Sequence, residues 1–389
     1  MIPRQIEHKL HHLLQNTPVV ALLGARQVGK TTLSLSLASN QTRPTLYLDL
    51  ERPSDIAKLH DAEYFLSINA DKLIILDEIQ RMPHILPIIR SLIDERRRKG
   101  DRCCQYLLLG SSSNILLKNT SDSLAGRISY LEIGGFTAQE IHDTNSLWCK
   151  GGFPDSYLAS SDEASFQWRT NLIRTYIERE MPILGYQVSS QIMSRFWGML
   201  AHNHGQLFNA SKIAASLGVS SPTVSRYLDI LADLFMVRIV HPWSENYGKR
   251  LVKTPKIYIK DTGLLHCLLN LRNINDILSH PICGTSWEGF VIENIANILE
   301  HKAQISFYRT AAGAEMDLVI EHGSQRIGIE VKRSLAPTLN KGLHNSMQDL
   351  KLERVYVVYP GKEEYQLNEQ ICVTPIQKLM EKLVEKLQA

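Results

Sequence analysis

Short apolar runs alternate with helix-like patterns over the first third of the chain. The runs are rich in Leu, Ile and Val, and each ends in polar or glycine residues. They occupy residues 19–23, 44–50, 72–77, 106–109 and 128–133. Between them, apolar residues recur at helical spacing, most clearly from 85 to 93. Apolar runs separated by helices are typical of parallel strands buried on both faces. The pattern therefore predicts an α/β domain of three layers with parallel strands.

The loop after the first run has the spacing Gly-x-x-x-x-Gly-Lys-Thr. Its glycines let the backbone curl so that several N–H groups face inward at the positive end of a helix, which suits phosphate. Lys30 can then reach the β- and γ-phosphates of ATP, and the Thr31 hydroxyl can bind Mg²⁺. The residues expected to contact the nucleotide are Gly24, Ala25, Arg26, Gln27, Val28, Gly29, Lys30, Thr31 and Thr32. The alternative is a plain glycine turn between a strand and a helix.

A second part of a nucleotide site is indicated where the run at 72–77 ends in two acids, Asp77 and Glu78. The carboxyl ends of parallel strands form the edge at which α/β proteins bind ligands. We predict that Asp77 holds Mg²⁺ through water and that Glu78 orients or deprotonates the attacking water. Alone, such acids are more often a helix N-cap or a solvated turn, but the phosphate loop favours the catalytic interpretation.

Two further residues are candidates for contacts to the γ-phosphate. Ser111 follows the apolar run at 106–109, where a polar residue can sense the phosphate. A serine-rich cap on the next helix explains it equally well. Arg127 stands beside a glycine before the run at 128–133 and is a candidate arginine finger or phosphate sensor, because a planar cation stabilises charge on the transferring phosphoryl group. A surface ion pair is the alternative for Arg127.

Length and composition set broad limits. A chain of 389 residues is too long for one ordinary core, so two or three domains are expected. No run approaches the roughly 18 apolar residues of a membrane span, and no signal-peptide pattern opens the chain. We therefore expect a cytoplasmic protein with no membrane partner. The six cysteines show no CxxC pair and no zinc spacing, which predicts reduced, mostly structural thiols.

The middle of the chain combines a positive surplus with the marks of a helix-turn-helix. Residues 193–262 contain nine Lys and Arg but only four acids, although the whole chain has a net charge of only +3. Residues 209–228 show an apolar helix, a glycine turn, a serine cap and a proline in the first turn of a second helix. An apolar stretch at 234–240 could form a wing strand.

Double-stranded DNA is one candidate partner for this region, because a basic, hydroxyl-lined helix suits phosphates and base edges. The residues expected to make these contacts are Thr223, Ser225, Arg226, Lys249 and Arg250. Helix-turn-helix folds also serve as protein-contact modules. A protein partner therefore remains the alternative.

The last third contains a second candidate metal site. Asp317 lies on one predicted strand, and Glu330 and Lys332 lie on one face of the next. Asp317 and Glu330, with Glu288 from a preceding helix, can chelate Mg²⁺. Lys332 can then stabilise or activate water attacking a phosphate. A set of surface salt bridges is the alternative.

With these motifs in view, the whole chain resembles a large family of bacterial and archaeal P-loop ATPases related to the AAA+ class. The residues that carry the resemblance are those at 24–32, 76–78, 110–112, 124–127, 151–154, 260–264, 315–317 and 329–332. The resemblance implies ATP binding and hydrolysis, a winged-helix region, and a C-terminal α/β module like restriction endonucleases, the PD-(D/E)xK fold.

We thus predict three domains: a P-loop AAA+-like ATPase domain at 1–140, a helical lid with a winged helix-turn-helix at 141–262, and a nuclease-like domain at 263–389. ATP and Mg²⁺ would control a DNA-associated C-terminal module with metal-dependent phosphodiesterase activity. The rival interpretations are a nucleotide-switched regulator that binds DNA or protein without cleaving, and an ATP-driven remodeller of a protein partner. A homo-oligomer is expected if Arg127 acts across subunits.

Overall fold

The structure, a computed structural model, describes residues 2–39, 43–112, 124–244, 251–299 and 302–388. The chain divides into two compact units. The N-terminal unit is Met1–Gly135 with Asp233–Phe235, and the C-terminal unit is Phe136–Ala232 with Met236–Ala389. The predicted boundary between the second and third domains, at 262/263, lies inside the C-terminal unit and stays a prediction.

The N-terminal unit alternates strands with helices. Its elements are α1 Ile6–Asn16, β1 Val19–Leu23, α2 Lys30–Ser39, β2 Thr45–Asp49, α3 Pro53–Lys58, α4 Ala62–Ile68, β3 Leu73–Asp77, α5 Leu86–Arg98, β4 Tyr106–Gly110 and β5 Ile128–Glu132. Two 3₁₀ turns, Ile79–Arg81 and Pro83–Ile85, follow β3. Each strand lies within two residues of the bounds expected from its apolar run.

The strands of this unit pair in the order β2-β3-β4-β1-β5, and every pairing is parallel. All residues of β1, β3 and β4 are buried, which explains why these strands are continuous apolar runs. The prediction of an α/β domain with parallel strands is confirmed. Because the strands are parallel, the residues that follow β1, β3 and β4 meet at one edge of the sheet.

The C-terminal unit begins with helices and ends in a mixed α/β part. Its elements are α6 Thr144–Lys150, α7 Pro154–Tyr157, α8 Asp162–Thr175, a π-helical turn Tyr176–Glu180, α9 Met181–Ile183, α10 Ser190–His202, α11 Ala210–Leu217, α12 Ser221–Asp233, β6 Val237–Val240, β7 Lys256–Ile259, α13 Thr262–Leu268, α14 Ile274–Ser279, α15 Cys283–Leu299, β8 Gln304–Arg309, β9 Glu315–His322, β10 Gln325–Val331, α16 Lys341–Leu350, β11 Arg354–Val358, β12 Tyr365–Gln366, β13 Ile371–Thr374 and α17 Ile376–Gln388.

Helices α11 and α12 form the expected pair joined by a tight turn. The side chain of Asn209 accepts a hydrogen bond from the Lys212 amide (2.9 Å) and caps the start of α11. Gly218, with a φ of 69°, caps its end. The Ser220 hydroxyl accepts a bond from the Thr223 amide (3.3 Å) at the start of α12. Strands β6 and β7 then pair as an antiparallel ribbon. The local signals in the sequence therefore have the structural roles expected of them.

A second, mixed sheet has the strand order β12-β13-β11-β10-β9-β8. Strand β10 is antiparallel to β9 and parallel to β11. The β9–β10 register sets Ile329 opposite Leu318, so one step further along the ladder Glu330 lies opposite Asp317. Side chains directly opposite each other share one face of a sheet. This register is what brings the acids of the two strands together.

Two expectations concern membranes and thiols. Among the residues that the structure describes, no helix has both the length and the apolar character needed to cross a membrane. All six cysteines lie in described segments and none is joined in a disulfide there.

Candidate functional site

The phosphate loop leaves β1 and turns tightly before α2 begins at Lys30. A side chain at Gly24 would place its Cβ 2.3 Å from the carbonyl oxygen of Ile133, so only glycine fits there. Gln27 and Gly29 have positive φ values of 64° and 101°. These left-handed residues curl the backbone as the motif predicts. Arg4, which belongs to no motif in the sequence, donates to the Val28 carbonyl (3.3 Å) and so ties the N-terminal segment to this loop.

Lys30 lies inside the curled loop and is 5% exposed. Its ammonium donates to the carbonyl oxygens of Gly24 and Ala25, at 2.9 Å each. A lysine side chain is flexible and its ammonium is a compact charge. It can therefore exchange these carbonyls for phosphate oxygens without a change in the backbone.

Thr31 and Asp77 meet although 46 residues separate them. The Thr31 hydroxyl donates to Asp77 Oδ2 at 2.7 Å, and the Tyr47 hydroxyl donates to the same oxygen at 2.8 Å. The other oxygen, Oδ1, accepts from the Glu78 amide at 3.0 Å. Burial and the bond to Asp77 raise the pKa of Tyr47 above its ordinary value, so Tyr47 remains a donor at neutral pH. Tyr47 was not among the predicted site residues.

This group of oxygens fits the Mg²⁺ ion implied by the motif. Mg²⁺ takes oxygen ligands and is usually bound through one or two carboxylates together with substrate phosphates. The Thr31 hydroxyl and the buried Asp77 carboxylate are such ligands, and they already lie in contact beside the loop. Thr31 and Asp77 are therefore the residues that would hold the ion.

Glu78 directly follows Asp77 in a left-handed conformation, with a φ of 55°. A non-glycine residue in this region is strained, and such residues cluster at functional sites. Its carboxylate Oε2 accepts from the Ser111 hydroxyl at 3.1 Å, and Ser111 in turn accepts from the Gln80 amide at 3.0 Å. Gln80 also donates to Glu78 itself. The structure thus joins the predicted residues Glu78 and Ser111 and adds Gln80, which the sequence analysis missed.

Charged side chains lie close to the same loop. Glu51 binds Arg26 of the loop (3.2 Å) and Arg81 of the 3₁₀ turn after Glu78 (2.6 Å). Of the other predicted loop contacts, Val28 is buried and Thr32 is exposed. Glu51 and Arg81 carried no signal in the sequence, because their pairing depends on the order of the strands.

Arg127 forms an ion pair on the surface of the N-terminal unit. Its Nε and one terminal nitrogen donate to the two oxygens of Asp94, at 2.7 and 2.9 Å. This bidentate bond lowers the pKa of Asp94 and raises that of Arg127. The geometry corresponds to the ion-pair alternative for Arg127, and its role as an arginine finger stays a prediction.

Three of the five predicted nucleic-acid residues lie on α12. Val224, Leu228 and Leu231 are buried, as expected for the inner face of the helix. Ser225 and Arg226 are exposed, whereas Thr223 is partly buried and hydrogen-bonded to Ser220. The remaining two, Lys249 and Arg250, lie outside the described residues.

A strongly polar cavity of about 290 Å³ in the C-terminal unit collects the predicted acidic residues. It is lined by Gly205, Gln206, Lys256, Thr285, Glu288, Arg309, Gly313, Glu315, Asp317, Glu330, Lys332, Asn340 and Gly342. Lys332 Nζ and Glu330 Oε1 are 2.5 Å apart. Lys256 was not among the predicted site residues, and its Nζ is 3.1 Å from Glu288 Oε1. We call this cavity the acidic pocket.

The acidic pocket does not fit the Mg²⁺ ion that was predicted from Glu288, Asp317 and Glu330. No group of three or more His, Cys, Asp or Glu among the described residues is arranged to hold a metal. The physical reason lies in the lysines: Lys256 and Lys332 bind the carboxylates of Glu288 and Glu330, which were expected to be ligands. Asp317 accepts a hydrogen bond from the Val331 amide at 2.8 Å.

Three parts of the chain match known protein families. Residues 16–142 match the family described as AAA domain. Residues 141–275 and 283–379 match two families described as domains of unknown function, DUF8612 and DUF4143. A Walker-type ATPase of Pyrococcus abyssi has a solved structure that superposes with a TM-score of 0.48 and 16% identity, over 69% of this chain and 96% of that one.

Two relatives are similar along nearly the whole chain. Uncharacterized proteins of Mycobacterium tuberculosis and Mycobacterium bovis are each 38% identical over 379 residues, which is 97% of this chain and 84% of theirs. An uncharacterized protein of Haemophilus influenzae is 23% identical over 306 residues, or 69% of this chain and 74% of that one. The chain belongs to the family of the two mycobacterial proteins, and its N-terminal part is an AAA+-like P-loop domain.

Proposed function

We propose that this protein is a Mg²⁺-dependent ATPase that hydrolyses ATP at the P-loop of its N-terminal unit. One observation carries the proposal: the Thr31 hydroxyl bonds to the Asp77 carboxylate at 2.7 Å. This bond joins the phosphate loop to the acidic residues at the end of β3. ATP hydrolysis by a P-loop domain needs both the loop and these acids. The 5% exposure of Lys30 inside the curled loop supports the same site.

Binding comes first in the proposed mechanism. The N–H groups of the loop and the start of α2 face the phosphates, and the Lys30 ammonium moves from the carbonyls of Gly24 and Ala25 to phosphate oxygens. Bound Mg²⁺ supplies positive charge that offsets the charge of the phosphates. Arg26 and Arg81, held by Glu51, keep further positive charge beside the loop.

Glu78 is the general base of the proposed reaction. Its carboxylate takes a proton from the attacking water as the water oxygen bonds to the γ-phosphorus, and the bond from this phosphorus to the bridging oxygen of ADP breaks. The Ser111 hydroxyl and the Gln80 amide hold Glu78 Oε2 in place. A base that is fixed by two donors is pre-oriented for water beside the γ-phosphate.

Substitution of Thr31 tests the observation on which this proposal rests. Thr31→Val keeps the shape of the side chain but removes the hydroxyl. We expect ATP turnover to need at least about 10- to 100-fold more Mg²⁺, because this is the loss of metal affinity when only a hydrogen-bond partner of a ligand is removed. Thr31→Ser keeps the hydroxyl and should titrate like the wild type. The measurement is phosphate release as a function of Mg²⁺ concentration. A wild-type chain that releases no phosphate at any Mg²⁺ concentration would refute the ATPase.

A second proposed function is DNA association through α11 and α12, which would act as a winged helix with the β6–β7 ribbon as its wing. The exposed Arg226 and Ser225 on the outer face of α12 favour this function. A helix that presents a cation and hydroxyls can contact phosphates and base edges. ATP binding would then switch a DNA-associated C-terminal module, and a homo-oligomer would be needed if Arg127 acts on a neighbouring copy.

Removal of the Arg226 charge should weaken DNA binding. If Arg226 contacts a phosphate, Arg226→Ala lowers affinity for all sequences alike and reduces the slope of log K against log salt by about 1. Arg174→Ala is the matched control. Arg174 is an exposed arginine on α8, away from α12, and it pairs with Glu178. Fluorescence anisotropy with a labelled duplex at several salt concentrations gives both quantities. An unchanged isotherm in Arg226→Ala would support a protein partner in place of DNA.

For the C-terminal module, the resemblance offers two roles: metal-dependent cleavage of phosphodiesters, or binding without cleavage. The ion pairs of Lys256 and Lys332 in the acidic pocket favour binding. We therefore propose a nucleotide-switched binding module in preference to a nuclease.

A further inference from the structure

Lys256 is an unusual lysine because it is 3% exposed. It is the first residue of β7, whose backbone pairs with β6 through Val240 and bridges to Leu207 on the other side. Its ammonium lies 5.4 Å from the ring centroid of Phe307. Backbone pairing on both sides and an aromatic contact fix the side chain in the pocket. It does not behave as a mobile surface lysine.

The ammonium of Lys256 joins two carboxylates that come from different elements. It lies 3.1 Å from Glu288 Oε1 on α15 and 2.9 Å from Glu315 Oε1 on β9. An ammonium has three donors and no acceptor, so it can bridge several carboxylates in the way a cation does. Lys256 thus links the helix to the sheet through charge.

The carboxylates of the acidic pocket already have partners within the protein. Glu288 Oε1 accepts from the Tyr258 hydroxyl (2.5 Å) in addition to Lys256. Asp317 Oδ2 accepts from a backbone amide at 2.8 Å, and Glu330 Oε1 pairs with Lys332. A divalent ion in the pocket would lie close to the Lys256 ammonium, which is 3.1 Å from Glu288 and 2.9 Å from Glu315, and the two positive charges would repel each other.

We propose that the Lys256 ammonium is the resident cation of the acidic pocket and takes the place of a divalent metal. The pocket is then a metal-free site, and the C-terminal module does not cleave phosphodiester bonds. This inference concerns only the C-terminal unit, so it stands or falls separately from ATP hydrolysis at the P-loop. In this proposal Lys256 is a positioning residue, because its ammonium acts through the carboxylates of Glu288 and Glu315.

Metal binding tests the proposal directly. Mn²⁺ bound to the nucleotide-free full chain is counted by the loss of the free-ion signal in electron paramagnetic resonance. Wild-type protein and Asp317→Asn should bind the same amount of Mn²⁺, because any ion bound elsewhere is unaffected by Asp317. A Mn²⁺ ion that the wild type binds and Asp317→Asn loses would overturn the proposal.

Removal of the lysine should convert the pocket into a metal site. Lys256→Met is expected to bind an additional Mn²⁺ ion per chain, and the double variant Lys256→Met/Asp317→Asn should lose it. A folded Lys256→Met chain, judged by circular dichroism, that gains no Mn²⁺ would count against the proposal. Should this variant not fold, the comparison of wild type with Asp317→Asn still decides.

Cleavage of supercoiled plasmid gives an independent readout. The full chain is incubated with Mg²⁺ or Mn²⁺, with and without ATP, beside Asp317→Ala, and phosphate release is measured in the same tubes. We expect no nicking that depends on Asp317 under any of these conditions. Nicking that disappears in Asp317→Ala would overturn the proposal, whatever the ATPase rate in that tube.

Discussion

ATP turnover is expected to fall by about 10²- to 10³-fold in Lys30→Ala, the cost of removing one group that stabilises charge in a transition state. Lys30 is buried in the loop, and its ammonium is 2.9 Å from the carbonyls of Gly24 and Ala25. When these carbonyls give way to phosphate oxygens, the ammonium is the charge nearest the γ-phosphate on the loop. Alanine leaves the fold of the loop intact, because Gly24 and Gly29 set its curl, but it removes that charge.

The matched control for this change is Lys58→Ala. Lys58 is half-exposed on α3 and pairs with Asp55 at 2.7 Å, so its loss removes a lysine from the same unit away from the loop. Phosphate release and binding of a fluorescent ATP analogue are measured for both variants. Lys30→Ala should lose affinity as well as turnover, whereas Lys58→Ala should keep both. Undiminished turnover in Lys30→Ala would remove the P-loop assignment.

The parts of the nucleotide site that could be predicted are those formed by residues close together in the sequence. The loop from Gly24 to Thr31 and the acids Asp77 and Glu78 carry their chemistry in local spacing. Parallel strands then bring the two motifs to one edge of the sheet whatever the details of packing. This is why Thr31 and Asp77 are in contact.

The residues that sequence reasoning missed depend on register and strand order. Tyr47 lies in a strand that was predicted, but its bond to Asp77 follows from the β2–β3 register, in which Asp49 is the direct neighbour of Asp77. Gln80 reaches Ser111 only because β3 pairs with β4. Neither contact leaves a periodic signal in the chain.

Lys256 shows the same limit in the C-terminal unit. In the sequence it is one of nine basic residues in a positive stretch, and it opens a four-residue strand that was not predicted. Its partners Glu288 and Glu315 come from a later helix and strand. Charge counted along the chain indicated a surface for DNA at this position, whereas the fold places this lysine in a buried pocket.

Helix α16 and strands β12 and β13 were also not predicted. Strand β13 is fully buried but only four residues long, and β12 has two exposed residues. Runs this short cannot be distinguished from loops by periodicity. The fold of the C-terminal sheet was therefore predictable only in its longer strands, including β9 and β10, which carry Asp317 and Glu330.

Glu78→Gln should separate chemistry from binding. Glutamine has the shape of glutamate but cannot take a proton from water, so turnover should fall by about 10²- to 10⁴-fold, the usual contribution of a general base. Its side-chain oxygen can still accept from the Ser111 hydroxyl, which holds the glutamate at 3.1 Å. Thr31, Lys30 and the loop are unchanged, so ATP should bind with wild-type affinity.

The control for Glu78→Gln is Glu63→Gln, the same chemical change at an exposed position on α4. Phosphate release and ATP-analogue binding are again measured together. Wild-type turnover in Glu78→Gln would exclude Glu78 as the base, and a parallel loss of binding would assign it a structural role in the strained turn after β3. Loss of turnover with binding retained, beside the loss of both in Lys30→Ala, would identify Glu78 as the residue that activates water and Lys30 as the one that binds phosphate.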